Sequence, residues 1–101
     1  MDPQDRVFLQ QGAGKAAALL RAVGNERRLL VLCLLIEHGE LAVGQLLEQV
    51  DLSPSALSQH LTRMRAEGLI DYRRQAQTLY YRIADPAVAE LVATLKRIYC
   101  P

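Results

Sequence analysis

Apolar residues recur at helical spacing along most of the chain and switch to strict alternation in one stretch of its C-terminal third. The alanine-rich run "GKAAALLRAV" predicts a helix over roughly Leu9 to Val23. In "GNERRLLVLCLLIEHGE" Asn25 is a helix cap and Gly39 a stop, and the stripe Leu29, Leu30, Cys33 and Ile36 is expected to face inward. From Leu41 or Ala42 to Val50 a short helix follows, with Val43, Leu46, Leu47 and Val50 inward. The tight turn "DLS" leads into a further helix, in which Ser53 caps, Pro54 takes the first position and Gly68 stops. Two short helices joined by so brief a turn make a helix-turn-helix.

After Gly68 the period becomes two. Ile70 and Tyr72, then Leu79, Tyr81 and Ile83, alternate as half-buried strands do. The polar "RRQAQ" between them contains no Asn-Gly or Asp-Gly, which predicts a long and mobile hairpin tip. "DPAVAELVATLKRIYC" closes the chain as a helix capped by Asp85, with the stripe Val88, Leu91, Val92, Leu95, Ile98 and Tyr99. The expectation is a mainly α chain with a β-hairpin wing, in the order α-α-α-α-β-β-α. That is a single winged helix-turn-helix domain over residues 1–101, flanked by terminal helices.

The helix after the turn has a distinctive outer face. At about 100° per residue, Leu57, Leu61 and Met64 fall on one side, while Ser55, Gln59, Thr62 and Arg63 fall opposite and Ser58 and His60 lie on the flanks. Gln suits the adenine edge, Arg the guanine edge, and the hydroxyls of Ser53, Ser55, Ser58 and Thr62 suit phosphates or bases. His60 is equally readable as a phosphate ligand or a packed flank residue. Arg73, Arg74 and Gln77 on the wing are placed to meet backbone phosphates or an adjacent minor groove.

Charge sharpens this picture only locally, since the net charge is +1. Between Ser53 and Ala84 five arginines stand against Glu67 and Asp71, a surplus of three positive charges in 32 residues; the other 69 residues carry a surplus of two negative ones. A basic face on a near-neutral molecule fits a small DNA-binding domain. The longest apolar run, "LLVLCLLI", is eight residues, too short to cross a membrane, and "MDPQDRVFLQQ" lacks the basic and apolar regions of a signal peptide, so the expected location is cytoplasmic. No catalytic triad, phosphate loop or carboxylate pair appears, so neither catalytic residues nor a cofactor is assigned.

"NERRLLVLCLL", "LAVGQLLEQVDLSPSALSQHLTRMRAEGLI" and "AQTLYYRIAD" together resemble the ArsR family of bacterial winged-helix repressors, from Lys15 onward. The resemblance implies a homodimer held by the first and last helices, binding an inverted repeat in double-stranded DNA and released by an inducer. Metal-sensing members resemble one another in an "ELCVCDL"-type segment; here "ELAVGQL" has Ala42 and Gly44 where thiolates would stand, and the last helix has no histidine. No metal site is therefore expected.

Two cysteines remain, Cys33 and Cys100. Cys33 sits within an apolar stripe, where cysteine often serves as a small core residue. Cys100, continued on the last helix, falls opposite the stripe of Leu91, Leu95 and Ile98 and has no packing reason to be cysteine. This pair is similar to a sub-branch of the family that responds to sulfide-derived persulfides or oxidants. The resemblance implies that Cys33 and Cys100 become joined by a disulfide or polysulfide when a reactive sulfur species or oxidant acts as inducer. Two other readings stand beside it: a metal or haem held through Cys33 or Cys100, and a winged-helix module that binds protein rather than DNA.

Overall fold

The computed structural model describes residues 1–100; Pro101, which ends the expected span, lies outside the described residues. The elements are α1 (Pro3–Val7), a π-helical turn (Phe8–Gly12), α2 (Ala13–Val23), α3 (Glu26–His38), β1 (Leu41–Ala42), α4 (Val43–Leu47), α5 (Pro54–Ala66), β2 (Ile70–Gln75), β3 (Thr78–Ile83) and α6 (Pro86–Tyr99). The mainly helical winged helix-turn-helix expected from the sequence is the fold observed, with two additions.

The first addition is at the N-terminus. Helical structure begins at Pro3 rather than Leu9, because Asp2 Oδ1 accepts the Asp5 amide at 2.9 Å and Pro3 takes the first helical position. The same device starts α5, where Ser53 Oγ accepts the Ala56 amide at 3.1 Å, and α6, where Asp85 accepts the Ala87 amide at 2.9 Å. The second addition is β1, two residues in the stretch expected to open a helix. Leu41 and Ala42 pair antiparallel with Tyr81 and Tyr80, so the wing is a three-stranded sheet in the order β1-β3-β2. α4 is correspondingly shorter than expected, ending at Leu47.

The hairpin is tighter than expected. β2 and β3 pair through Gln75↔Thr78, leaving a two-residue turn of Ala76 and Gln77. Of these, Ala76 takes a positive φ of 56°, a conformation that alanine adopts only at a cost. Gly39 and Gly68, at φ 78° and 80°, end α3 and the turn after α5 in the left-handed region that glycine occupies freely.

The core gathers where α3, α4, α5, the sheet and α6 meet. Val31, Leu32, Leu35, Leu46, Leu57, Leu61, Met64, Ile70 and Val88 are essentially inaccessible. Here the expected inward stripe of α3 is corrected. The buried residues are Arg28, Val31, Leu32, Leu34 and Leu35, whereas Leu29, Cys33 and Ile36 are half-buried and Leu30 is exposed. α3 is apolar around most of its circumference, so two stripes compete, and the one including Val31, Leu32 and Leu35 takes the core.

Candidate nucleic-acid interface and thiol groove

α5 presents the predicted outer face. Ser55, Ser58, Gln59, Thr62 and Arg63 are exposed, while Leu57, Leu61 and Met64 anchor the helix from beneath. Ser53 is also exposed, with its hydroxyl engaged in capping. His60 stands apart from this set. It is half-buried, and its Nδ1 accepts a hydrogen bond from Arg28 Nε at 3.1 Å. Burial and the neighbouring cations Arg28, Arg63 and Arg27 hold its pKa below the ordinary histidine value, favouring the neutral ring.

The wing redistributes the charge surplus. Arg73 makes a bidentate pair with Glu40, at 2.8 and 2.7 Å, and its guanidinium lies 4.5 Å from the centre of the Tyr80 ring. The same hydrogen bonds hold the Glu40 carboxyl below its ordinary pKa. Arg65 bonds Asp71 at 3.1 Å and covers the Tyr72 ring at 4.1 Å, and Arg82 reaches Asp71 at 3.7 Å. Among the described residues Arg63 and Arg74 form no ion pair. Both are exposed, Arg63 on α5 and Arg74 on β2; Gln77 is exposed in the turn. Of the five arginines that made this region basic, three thus contact carboxylates, Arg73 holding Glu40 and Arg65 and Arg82 sharing Asp71.

Two residues here are absent from the sequence reading. Glu40 is one, and nothing in its local pattern points to Arg73. Arg28 is the other, and it carries a signal: a charge placed three and four residues before Val31 and Leu32, on the buried stripe.

The two thiols line one groove. Leu29 and Cys33 of α3 and Val92, Leu95, Lys96 and Tyr99 of α6 line an almost wholly apolar cleft of about 300 Å³, and Cys100 lines it too. This corrects the expectation that Cys100 points away from the α6 stripe. α6 ends at Tyr99, and Cys100 is its cap, with extended backbone (φ −94°, ψ 120°) and its amide bonded to Lys96 O at 2.8 Å. A helical projection does not apply to a residue that has left the helix. Cys33 is half-buried and Cys100 exposed, and both are free thiols. Among the described residues no group of three or more His, Cys, Asp and Glu is arranged to hold a metal ion, and no helix is long and apolar enough to cross a membrane.

Comparison with known proteins gives a consistent result. Residues 25–72 match the profile of the "Bacterial regulatory protein, arsR family". The HTH-type transcriptional regulator YgaV of Escherichia coli K12 is 50% identical over 93 residues, covering 92% of this chain and 94% of that protein. Reduced HlyU from Vibrio cholerae superposes with a TM-score of 0.85 at 42% identity, covering 94% of this chain and 99% of that one. The transcriptional repressor BigR from Xylella fastidiosa superposes with a TM-score of 0.88 at 33% identity, covering 100% and 99%. With the helix-turn-helix and wing in place, these similarities establish that the chain belongs to the ArsR family, winged-helix transcriptional regulators that bind DNA and act as dimers.

Proposed function

We propose that this protein is a cytoplasmic homodimeric repressor of an inverted-repeat operator, and that a covalent link between Cys33 and Cys100 lowers its operator affinity. Base and phosphate contacts are assigned to Ser53, Ser55, Ser58, Gln59, Thr62 and Arg63 of the helix-turn-helix and to Arg74 and Gln77 of the wing. Arg73, already paired with Glu40, is assigned to fixing the wing. The observation that carries the switch is the shared groove: both thiols line one apolar cleft between α3 and α6.

A persulfide RSSH transfers its outer sulfur to one thiol, giving Cys–SSH and RSH. Attack by the second thiol then yields the disulfide and releases hydrogen sulfide. An oxidant reaches the same disulfide by accepting two electrons and two protons. In the chain-entropy picture a loop of about 68 residues closed in this way stabilises the folded chain against unfolding by about 4 kcal/mol, and it ties the end of α6 to α3.

Support for the dimer comes from exposed apolar side chains. Val7, Phe8 and Leu9 of the N-terminal segment and Ile98 and Tyr99 of α6 are more than half accessible, at 53–54% for the first three, 63% for Ile98 and 78% for Tyr99. Such side chains cluster where a partner subunit covers them. In a dimer the two reading heads must match half-sites about 34 Å apart, so a small displacement of α6 costs affinity steeply.

The test is operator binding by fluorescence anisotropy, with reduced protein and with protein exposed separately to polysulfide, a disulfide oxidant and peroxide. Intact mass then identifies the product of each. Release of DNA together with a 33–100 link supports the switch. A Cys33→Ser, Cys100→Ser double variant that still releases DNA on polysulfide treatment would falsify it.

A further inference from the structure

Among the described residues Arg28 is the one charged side chain in the core, 9% accessible, and it spends its guanidinium on two other elements. Its Nη1 donates to Ala22 O at the end of α2 (3.0 Å), and its Nε donates to His60 Nδ1 on α5 (3.1 Å). Its own backbone is fixed by the cap of α3, where Asn25 Oδ1 accepts the Arg28 amide at 3.1 Å. A planar guanidinium with donors in a rigid fork suits such a three-way junction, and a lysine ammonium does not.

From this geometry we infer that Arg28 and His60 form a strut that positions α5 for DNA reading, and that the strut holds only while His60 Nδ1 is unprotonated. The inference rests on α5 being the recognition helix and adds to it a positioning pair and an acid sensitivity. A ring protonated at both nitrogens has no lone pair to offer Arg28, and it sets two cations against each other.

The charged groups acting on His60 are Arg28 and Arg27 of α3 and Arg63 of α5, with no carboxylate among them to offset that repulsion. Arg27 is turned to the Asp51 carbonyl in the turn before α5. The neutral ring is therefore the folded protein's preferred form: the folding stability it contributes is complete above the ordinary histidine pKa of about 6.5 and declines below it, and the strut itself breaks as pH falls through the lowered pKa of the folded state.

The experiment measures operator affinity by anisotropy at about pH 7.5 and about pH 5 for four proteins: wild type, His60→Asn, His60→Leu and the control His38→Asn. Thermal unfolding at both pH values accompanies each. Nitrogen NMR shifts of the two imidazoles report the protonation of His60 without DNA. The strut predicts that wild type and the His38 control weaken about five- to tenfold in acid while remaining folded.

Asn carries an acceptor oxygen near the Nδ1 position that does not titrate at these pH values, so His60→Asn should abolish the acid response. His60→Leu should bind weakly at both pH values. Should that variant fail to fold, Arg28→Lys, which keeps the charge but loses the fork, should lose affinity with the fold intact. Tighter wild-type binding in acid would mean that His60 is a phosphate ligand, and the strut would be wrong. So would an NMR signal placing the neutral ring's proton on Nδ1. Gln59→Ala in the same assay tests the recognition-helix reading separately: undiminished affinity there removes that reading, while the NMR result still decides the strut.

Discussion

The Glu40–Arg73 pair makes a quantitative statement about which wing residue meets DNA. Each phosphate neutralised by a protein cation contributes about 0.9 to the slope of log affinity against log salt. A dimer carries two wings, so removing one phosphate-contacting arginine per chain should lower the slope by about 1.8. Between about 50 and about 200 mM salt that amounts to a factor of about 12 in the lost salt dependence.

Arg74, which makes no ion pair among the described residues, should show this full effect as Arg74→Ala. Arg73→Ala should leave the slope unchanged, because its charge is already matched by Glu40 through two hydrogen bonds. Glu40→Gln keeps a similar shape but removes the counter-charge, so the slope should rise toward the wild-type value plus about 1.8. The assay is an anisotropy titration across a series of salt concentrations, with circular dichroism confirming that each variant is folded. If Arg73→Ala lowers the slope as much as Arg74→Ala, then Arg73 leaves Glu40 for phosphate on binding, and the assignment of Arg73 to wing structure is refuted.

Other expectations concern stability and assembly. Ala76 holds a positive φ at the hairpin turn, so Ala76→Gly should stabilise the fold by about 1 kcal/mol in urea unfolding, and Ala76→Val should do the reverse. Leu61 is essentially buried beneath α5, so Leu61→Ala should cost about 2–5 kcal/mol in the same measurement. The double substitution Ile98→Asp, Tyr99→Ser places charge and polarity on the exposed apolar end of α6. Sedimentation velocity should then find monomers where wild type sediments as a dimer, and a variant that stays dimeric would move the interface elsewhere.

The parts of this fold that were legible in the sequence are those with a local chemical marker. Ser53–Pro54, Gly68 and Asp85–Pro86 bound α5 and α6 correctly, and the period of two located β2 and β3. Asp2–Pro3 is the same kind of marker, yet the apolar residues behind it, Val7, Phe8 and Leu9, are consecutive and draw no stripe at helical spacing. β1 is two residues long, too short for alternation to register. In α3 apolarity extends nearly all round, and which stripe is buried depends on what packs against it. The same limit applies to the partners of Arg28, His60, Glu40 and Arg73, which lie more than thirty residues apart in two of these contacts. No local pattern carries that information.

The pairing of β1 with β3, reinforced by the clasp between Glu40 and Arg73, ties the start of α4 to the wing. Helix-turn-helix and wing are thereby joined by a strand pair and an ion pair as well as by the chain itself. Under the proposed switch, a link in the α3–α6 groove acts on the relation between the two reading heads of a dimer rather than on either one. In the language of multivalency, it alters the effective concentration of the second head once the first is bound. A DNA fragment carrying a single half-site should therefore bind linked and reduced protein equally, and only the full inverted repeat should tell them apart.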